Sequence, residues 1–169
     1  LGVFYSDEKT GYRNMYPKLE EKAEEEGLVK DEENKKWIMP EDIRIKRAQD
    51  TIKALPYLQG GAKLTSHLTD VSPKFLVLAV IDGGNHIFMN IVKEENGEPK
   101  INIEALQEVI NEYSDSFLTN IYIGRRKGFM DELDGDIAKL TEENEKVESG
   151  TIKEAVDAFG NKIPELIKQ

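Results

Sequence analysis

The sequence predicts an α+β domain between residues 40 and 130, on three observations. Ile45, Ala48, Ile52 and Leu55 fall on one helical stripe, and Ile103, Leu106, Ile110 and Tyr113 fall on another. Phe75–Ile81 is an unbroken apolar run of strand length. Phe117–Ile123 alternates well enough for a further strand, ending at Gly124.

Taken in order, Leu1–Tyr5 is a short apolar strand candidate that runs into a polar turn at Thr10–Gly11. Lys18–Lys36 is a Glu/Lys tract with little apolar periodicity, expected as a solvated helix or an arm. Trp37, beside Ile38 and Met39, is expected to pack and anchor what surrounds it. The first strong helix spans Pro40 to Leu55. Pro40 suits a first helical turn, Glu41 and Asp42 sit at the positive end of the helix dipole, and Pro56 stops the helix.

Phe75–Ile81 and His86–Val92 read as a hairpin around Asp82-Gly83-Gly84-Asn85. Both faces of Phe75–Ile81 are apolar, so this strand is expected to be central and covered on both sides. Glu94–Lys100, with Gly97 and Pro99, reads as a loop. Asn102 is the expected N-cap of the second helix. From Pro40 the order is α-β-β-α-β. That is a split βαβ topology, ferredoxin-like or that of a modified RNA-recognition-motif palm, an antiparallel sheet with helices on one face that lacks its first strand. Either Leu1–Tyr5 supplies that strand or an upstream portion does, since the chain opens at Leu1 rather than Met.

In the tail, Asp131–Glu148 reads as a charged segment. A helix follows, with Thr151 and Glu154 as a capping box, Ile152, Ala155, Val156 and Phe159 as its stripe and Gly160 as its stop. The expected organisation is a charged arm or insertion at 1–39, a palm core at 40–130 and a C-terminal helical extension at 131–169.

The chain has 169 residues and a formal charge of −10, with 38% hydrophobic and 33% charged residues. It has no cysteine, which removes disulfides, thiolate metal sites and thiol nucleophiles. The longest apolar run, Phe75–Ile81, is far short of the roughly 20 residues of a membrane-spanning helix. The charge is unevenly spread. Between Arg44 and Val92 six cations (Arg44, Lys46, Arg47, Lys53, Lys63, Lys74) face three carboxylates (Asp50, Asp70, Asp82). Such an island can meet a polyanion that the whole-chain charge would repel.

Inside the island, Gly60-Gly61-Ala-Lys63 lacks the spacing of a phosphate-binding P-loop. The two glycines either allow close backbone approach to a ligand or only turn the chain after the helix. Lys63, Thr65, Ser66 and His67 supply a cation, two hydroxyls and an imidazole, equipment for following a sugar-phosphate backbone without reading bases. Arg125-Arg126-Lys127-Gly128 follows the last strand and is either a phosphate contact or an exposed basic turn. Phe129 can stack on a base or pack down. His67 and His86 are the only histidines, and nothing has metal-ligand spacing. Asp70 and Asp82 read as turn-formers. The strand His86–Val92 lacks the aromatic signature of an ordinary RNA-recognition motif.

Arg47-Ala-Gln-Asp-Thr-Ile-Lys-Ala-Leu-Pro-Tyr-Leu-Gln-Gly-Gly-Ala-Lys63, Thr69-Asp-Val-Ser-Pro-Lys-Phe75 and Gly83-Gly-Asn-His-Ile-Phe88 resemble the DevR-type backbone subunit of type I-B CRISPR interference (Cascade) complexes. That family lies in the repeat-associated mysterious protein superfamily. The resemblance is detailed over Arg44–Val92 and weaker to Gly128, and the chain corresponds to the C-terminal part of family members. It implies a non-catalytic, cytoplasmic subunit with no cofactor and no membrane partner. Copies of the subunit would assemble along one CRISPR RNA beside other Cascade subunits and present it to a target DNA strand. The RNA-facing candidates are then Gly60, Gly61, Lys63, Thr65, Ser66, His67, Lys74, Arg125, Arg126 and Lys127. Two other readings are a metal-independent RNA-processing endonuclease using His67 or His86, and a protein-interaction module without nucleic acid.

Overall fold

A computed structural model describes residues 3–5, 17–33, 35–59 and 70–168. In chain order these form β1 (Val3–Tyr5), α1 (Pro17–Glu25), β2 (Val29–Asp31), β3 (Lys36–Ile38), α2 (Glu41–Lys53), β4 (Phe75–Leu78), β5 (Val92–Glu95), β6 (Glu98–Ile101), α3 (Ile103–Glu112), β7 (Ile121–Arg125), α4 (Asp134–Glu143), β8 (Val147–Gly150) and α5 (Ile152–Ile167). The fold is mixed α+β with small sheets and helices, compatible with the ferredoxin-like class expected. Two compact units divide it, Leu1–Ile52 with Gly160–Gln169, and Lys53–Phe159.

In the first unit β1, β3 and β2 form an antiparallel sheet with β3 in the middle. Trp37 on β3 is buried with Ala23 of α1 and Leu28, while the Lys30 ammonium lies 5.6 Å from its ring centroid. The expected anchoring by Trp37 therefore holds, and it gives the Glu/Lys tract a fold. Gly27 sits at φ +77 where the chain leaves α1, a conformation that favours glycine. Leu1–Tyr5 does not supply the first palm strand, because β1 pairs with Lys36–Ile38.

The second unit is organised around β7. It pairs antiparallel with β4 on one side and parallel with β8 on the other. A parallel pair needs a long crossover, which α4 provides. Ile121 and Ile123 point into a cluster with Leu106 and Ile110 of α3, Ile137 and Leu140 of α4, and Val147. Tyr122 and Gly124 face the other way. The Tyr122 ring meets Phe159 of α5 edge-on at 5.9 Å, and a Cβ at Gly124 would lie 3.0 Å from Ile152 Cα and 3.1 Å from Ala155 Cβ. Alternation along a single strand thus produces three layers, with helices on both faces rather than one.

The structure departs from the sequence-based expectations at several elements. Phe75–Leu78 is half-buried throughout and lies at a sheet edge among the described residues, rather than at the centre of the sheet. Its partner is Ile121–Arg125, and residues 86–91 are turn and a 3-10 segment rather than a strand. Glu94–Lys100 is a hairpin, not a loop, closed by Asn96 (φ 55) and Gly97 (φ 84). Two consecutive left-handed residues match strand twist, and Asn-Gly is their preferred pair. Residues 131–150 are not an extension, since β8 extends the sheet. Gly160 does not stop α5, which continues through Pro164 to Ile167 because Gly160 and Ile163 are buried.

Other details stand. Asn102 Oδ1 accepts from Ala105 N at 3.2 Å as the α3 cap. Both arms of the Thr151/Glu154 box form, with Thr151 N donating to Glu154 Oε2 at 2.8 Å and Glu154 N to Thr151 Oγ1 at 3.2 Å.

Candidate nucleic-acid interface

Where β7 ends, the chain turns sharply and presents three consecutive cations. Phe129 N donates to Arg126 O at 3.1 Å, and Gly128 in the third turn position takes φ +88, as a type II turn requires. The turn is held from inside by Arg125. Its guanidinium donates to Phe129 O at 2.8 Å and forms ion pairs with Asp131 and Asp134. Asp131 also accepts from Gly128 N at 2.8 Å. These two donors, Arg125 first, hold the Asp131 carboxyl below its ordinary range. The Arg125 side chain keeps only 10% exposure. Arg125 is therefore committed inward and, contrary to the expectation, does not present its charge to a ligand.

Arg126 and Lys127 differ from it. Both are exposed, and Arg126 N donates to Lys74 O at 2.8 Å, which fixes the turn beside the start of β4. Asp70 sits across this junction. It pairs with the Lys74 ammonium, lies 3.7 Å from the Arg126 guanidinium, and accepts from Ser72 N at 2.9 Å as the expected turn-former. The Lys74 hydrogen bond, then those from Ser72, hold the Asp70 carboxyl well below the usual carboxylate range. Lys74 is thus partly spent on Asp70. Among the described residues no carboxylate pairs with Lys127.

Arg126 and Lys127 border an open groove of about 300 Å³, completed by the start of α5 and by Pro56 and Tyr57. Thr151, Ile152 and Lys153 come from α5, where the capping box sets the first turn. Lys153 pairs with Asp157 one turn on, which steadies its stem along the helix. Four cations line the groove, counting Arg125 beneath it, and no carboxylate is among its described lining residues. In a chain of charge −10 that sorting is local and strong.

Gly60, Gly61, Lys63, Thr65, Ser66 and His67 lie outside the described residues. Of the rest, Lys74, Arg126 and Lys127 are brought together at one sheet end, with Arg125 as their support. Phe129 is half-buried. His86 is exposed in the segment after Leu78, and no group of three or more His, Asp or Glu placed to hold a metal ion occurs among the described residues. No described helix is long and apolar enough to cross a membrane. Two groove residues escaped the sequence reading. Tyr57 could have been found as an aromatic between Pro56 and the glycine pair inside the cationic island. Lys153 carried no signal, because only the fold brings α5 beside the β7 turn. No family model, curated protein or solved structure matches this chain.

Proposed function

We propose that the chain is a non-catalytic RNA-binding subunit, the guide-RNA-holding backbone of a CRISPR interference complex. The observation that carries the reading is the groove beside the Arg126–Lys127 turn, lined by cations and by no described carboxylate in an acidic chain. The resemblance of Arg47–Lys63, Thr69–Phe75 and Gly83–Phe88 to the backbone subunits supports the same partner. Other copies of the chain, further Cascade subunits and a target DNA strand paired to the guide follow from that resemblance, as does a cytoplasmic location.

Mechanistically, the work is positioning. Arg126 and Lys127 hold phosphates, the clamped turn keeps them in place before RNA arrives, and bases stay available for pairing. Affinity then comes from counterion release. Each phosphate neutralised on a single strand steepens the dependence of log K on log salt by about 0.7.

The test is fluorescence anisotropy of the 169-residue chain with a labelled single-stranded RNA at increasing salt, alongside incubation with repeat RNA in EDTA. Binding that weakens steeply with salt, is indifferent to base sequence and leaves the RNA uncut is expected. No binding at low salt overturns the reading in favour of a protein-interaction module. Discrete cleavage products lost in His67→Ala or His86→Ala overturn it in favour of a ribonuclease.

A further inference from the structure

Tyr57 is two-thirds exposed (66%), an unusual position for a ring that lines a groove. It is nevertheless held. The 3-10 turn Leu55–Tyr57 closes with Tyr57 N donating to Ala54 O at 3.0 Å, and Pro56 restricts the backbone before it. Tyr57 lines the groove together with Pro56 and Ile152, and Lys153, Lys127 and Arg126 supply the charge. The groove volume, about 300 Å³, lies at the bottom of the range of roughly 300–1,000 Å³ typical of small-molecule pockets, so it suits a fragment rather than a whole cofactor.

We propose that this groove seats one unstacked base of a single-stranded nucleic acid, with Tyr57 as the stacking face and Lys127, Lys153 and Arg126 on the flanking phosphates. The chemistry is selective for single strands. A base in a duplex has both faces covered by its neighbours and cannot meet a side-chain ring, whereas an unpaired base offers its π-face to any aromatic. Recognition of this kind tolerates every base, because stacking does not depend on edge hydrogen bonds. Tyr57 and Lys153 line the same groove, so ring and cation address the same nucleotide. The proposal rests on the RNA-binding reading but adds a contact that phosphate binding does not require.

The experiment compares two labelled oligonucleotides of equal phosphate number, oligo(U) and its counterpart with abasic sites, against the full chain and three variants. Tyr57→Ala is expected to weaken oligo(U) binding about tenfold with an unchanged salt slope, and to leave abasic binding unaltered. Tyr57→Phe is expected to keep the wild-type affinity, and a combined Arg126→Ala/Lys127→Ala change to weaken both oligonucleotides and flatten the slope. Unchanged melting of Tyr57→Ala confirms an intact fold. Equal loss on both oligonucleotides, or no loss on either, overturns the base seat while leaving the phosphate reading standing. Failure of the unaltered chain to bind either one removes both.

Discussion

Two grooves of the same unit differ in how their charges are arranged, one lined by cations alone and the other by both signs, and the contrast explains what each can do. The groove beside Tyr57 is lined by Arg126, Lys127 and Lys153 with Arg125 behind them. The other, about 460 Å³, opens between the start of α3 and α4, where Lys93 and Lys139 face Glu104, Asp136 and Glu143. In that second groove the charges answer one another, with Lys139 lying 3.7 Å from Glu143 and Gln107 donating to Glu143 at 3.1 Å. In the first groove the carboxylates that pair with the cations, Asp70, Asp131, Asp134 and Asp157, are not among the lining residues. The lining itself is left to one sign of charge, which attracts an anion. Placement of carboxylates, more than the number of cations, separates a binding surface from a neutralised one.

The largest effect expected from this contrast is on RNA affinity. Reversing the charge at both exposed turn positions, Arg126→Glu with Lys127→Glu, should weaken single-stranded RNA binding about 100-fold at low salt. It should also reduce the salt slope by about 1.4, two phosphate contacts at about 0.7 each. The matching reversal in the other groove, Lys93→Glu with Lys139→Glu, should leave the affinity within about twofold. Anisotropy titrations over a salt series measure both. Equal losses in the two pairs would mean that only net charge matters, and the comparison would collapse.

Stability should distinguish the grooves next. Gly124 forms part of the support under the basic groove, because α5 crosses β7 where a Cβ would meet Ile152 Cα at 3.0 Å, Ala155 Cβ at 3.1 Å and Leu76 Cδ1 at 3.1 Å. Backbone cannot yield as a flexible side chain does. Gly124→Ala should therefore cost about 1–3 kcal/mol in urea unfolding and weaken RNA binding as well, since the start of α5 carries Lys153. Removing the cap above it, Thr151→Ala, should cost less, about 1 kcal/mol.

How far the sequence reveals this arrangement depends on the range of the interaction. Helices α2 and α3 were legible because their signals are local, a stripe at helical spacing and a cap at Asn102 that accepts from Ala105 N. The capping box at Thr151 was legible for the same reason. Strand pairing was not, since Phe75–Leu78 finds its partner about 45 residues away and apolar content alone cannot choose between neighbours. The hairpin Val92–Ile101 was hidden because Val92–Glu95 is exposed throughout, although Asn96-Gly97 marks its turn. α4 was hidden because only Ile137 and Leu140 of its ten residues are buried. At the site, Arg125, Arg126 and Lys127 look alike in sequence. What separates them is that Asp131 and Asp134 return to Arg125 across the turn, a pairing the fold alone creates.

That pairing gives the smallest and most specific effect. Asp131 is held below its ordinary range by Arg125 and by Gly128 N–H, so the unfolded chain binds a proton there more readily than the folded one. Its contribution is present above the unfolded value, about 3.9, and is lost as pH falls through the lower folded value. Asp131→Asn keeps an oxygen for Gly128 N–H and removes the charge. The variant should melt slightly below the wild type at neutral pH, and the two melting curves should converge below about pH 4. The same substitution loosens the turn that presents Arg126 and Lys127, so RNA affinity at neutral pH should fall modestly while the salt slope stays unchanged. A slope that changes with Asp131→Asn would place Asp131 in the field of the groove rather than behind it, and the separation of supporting carboxylates from exposed cations would no longer hold.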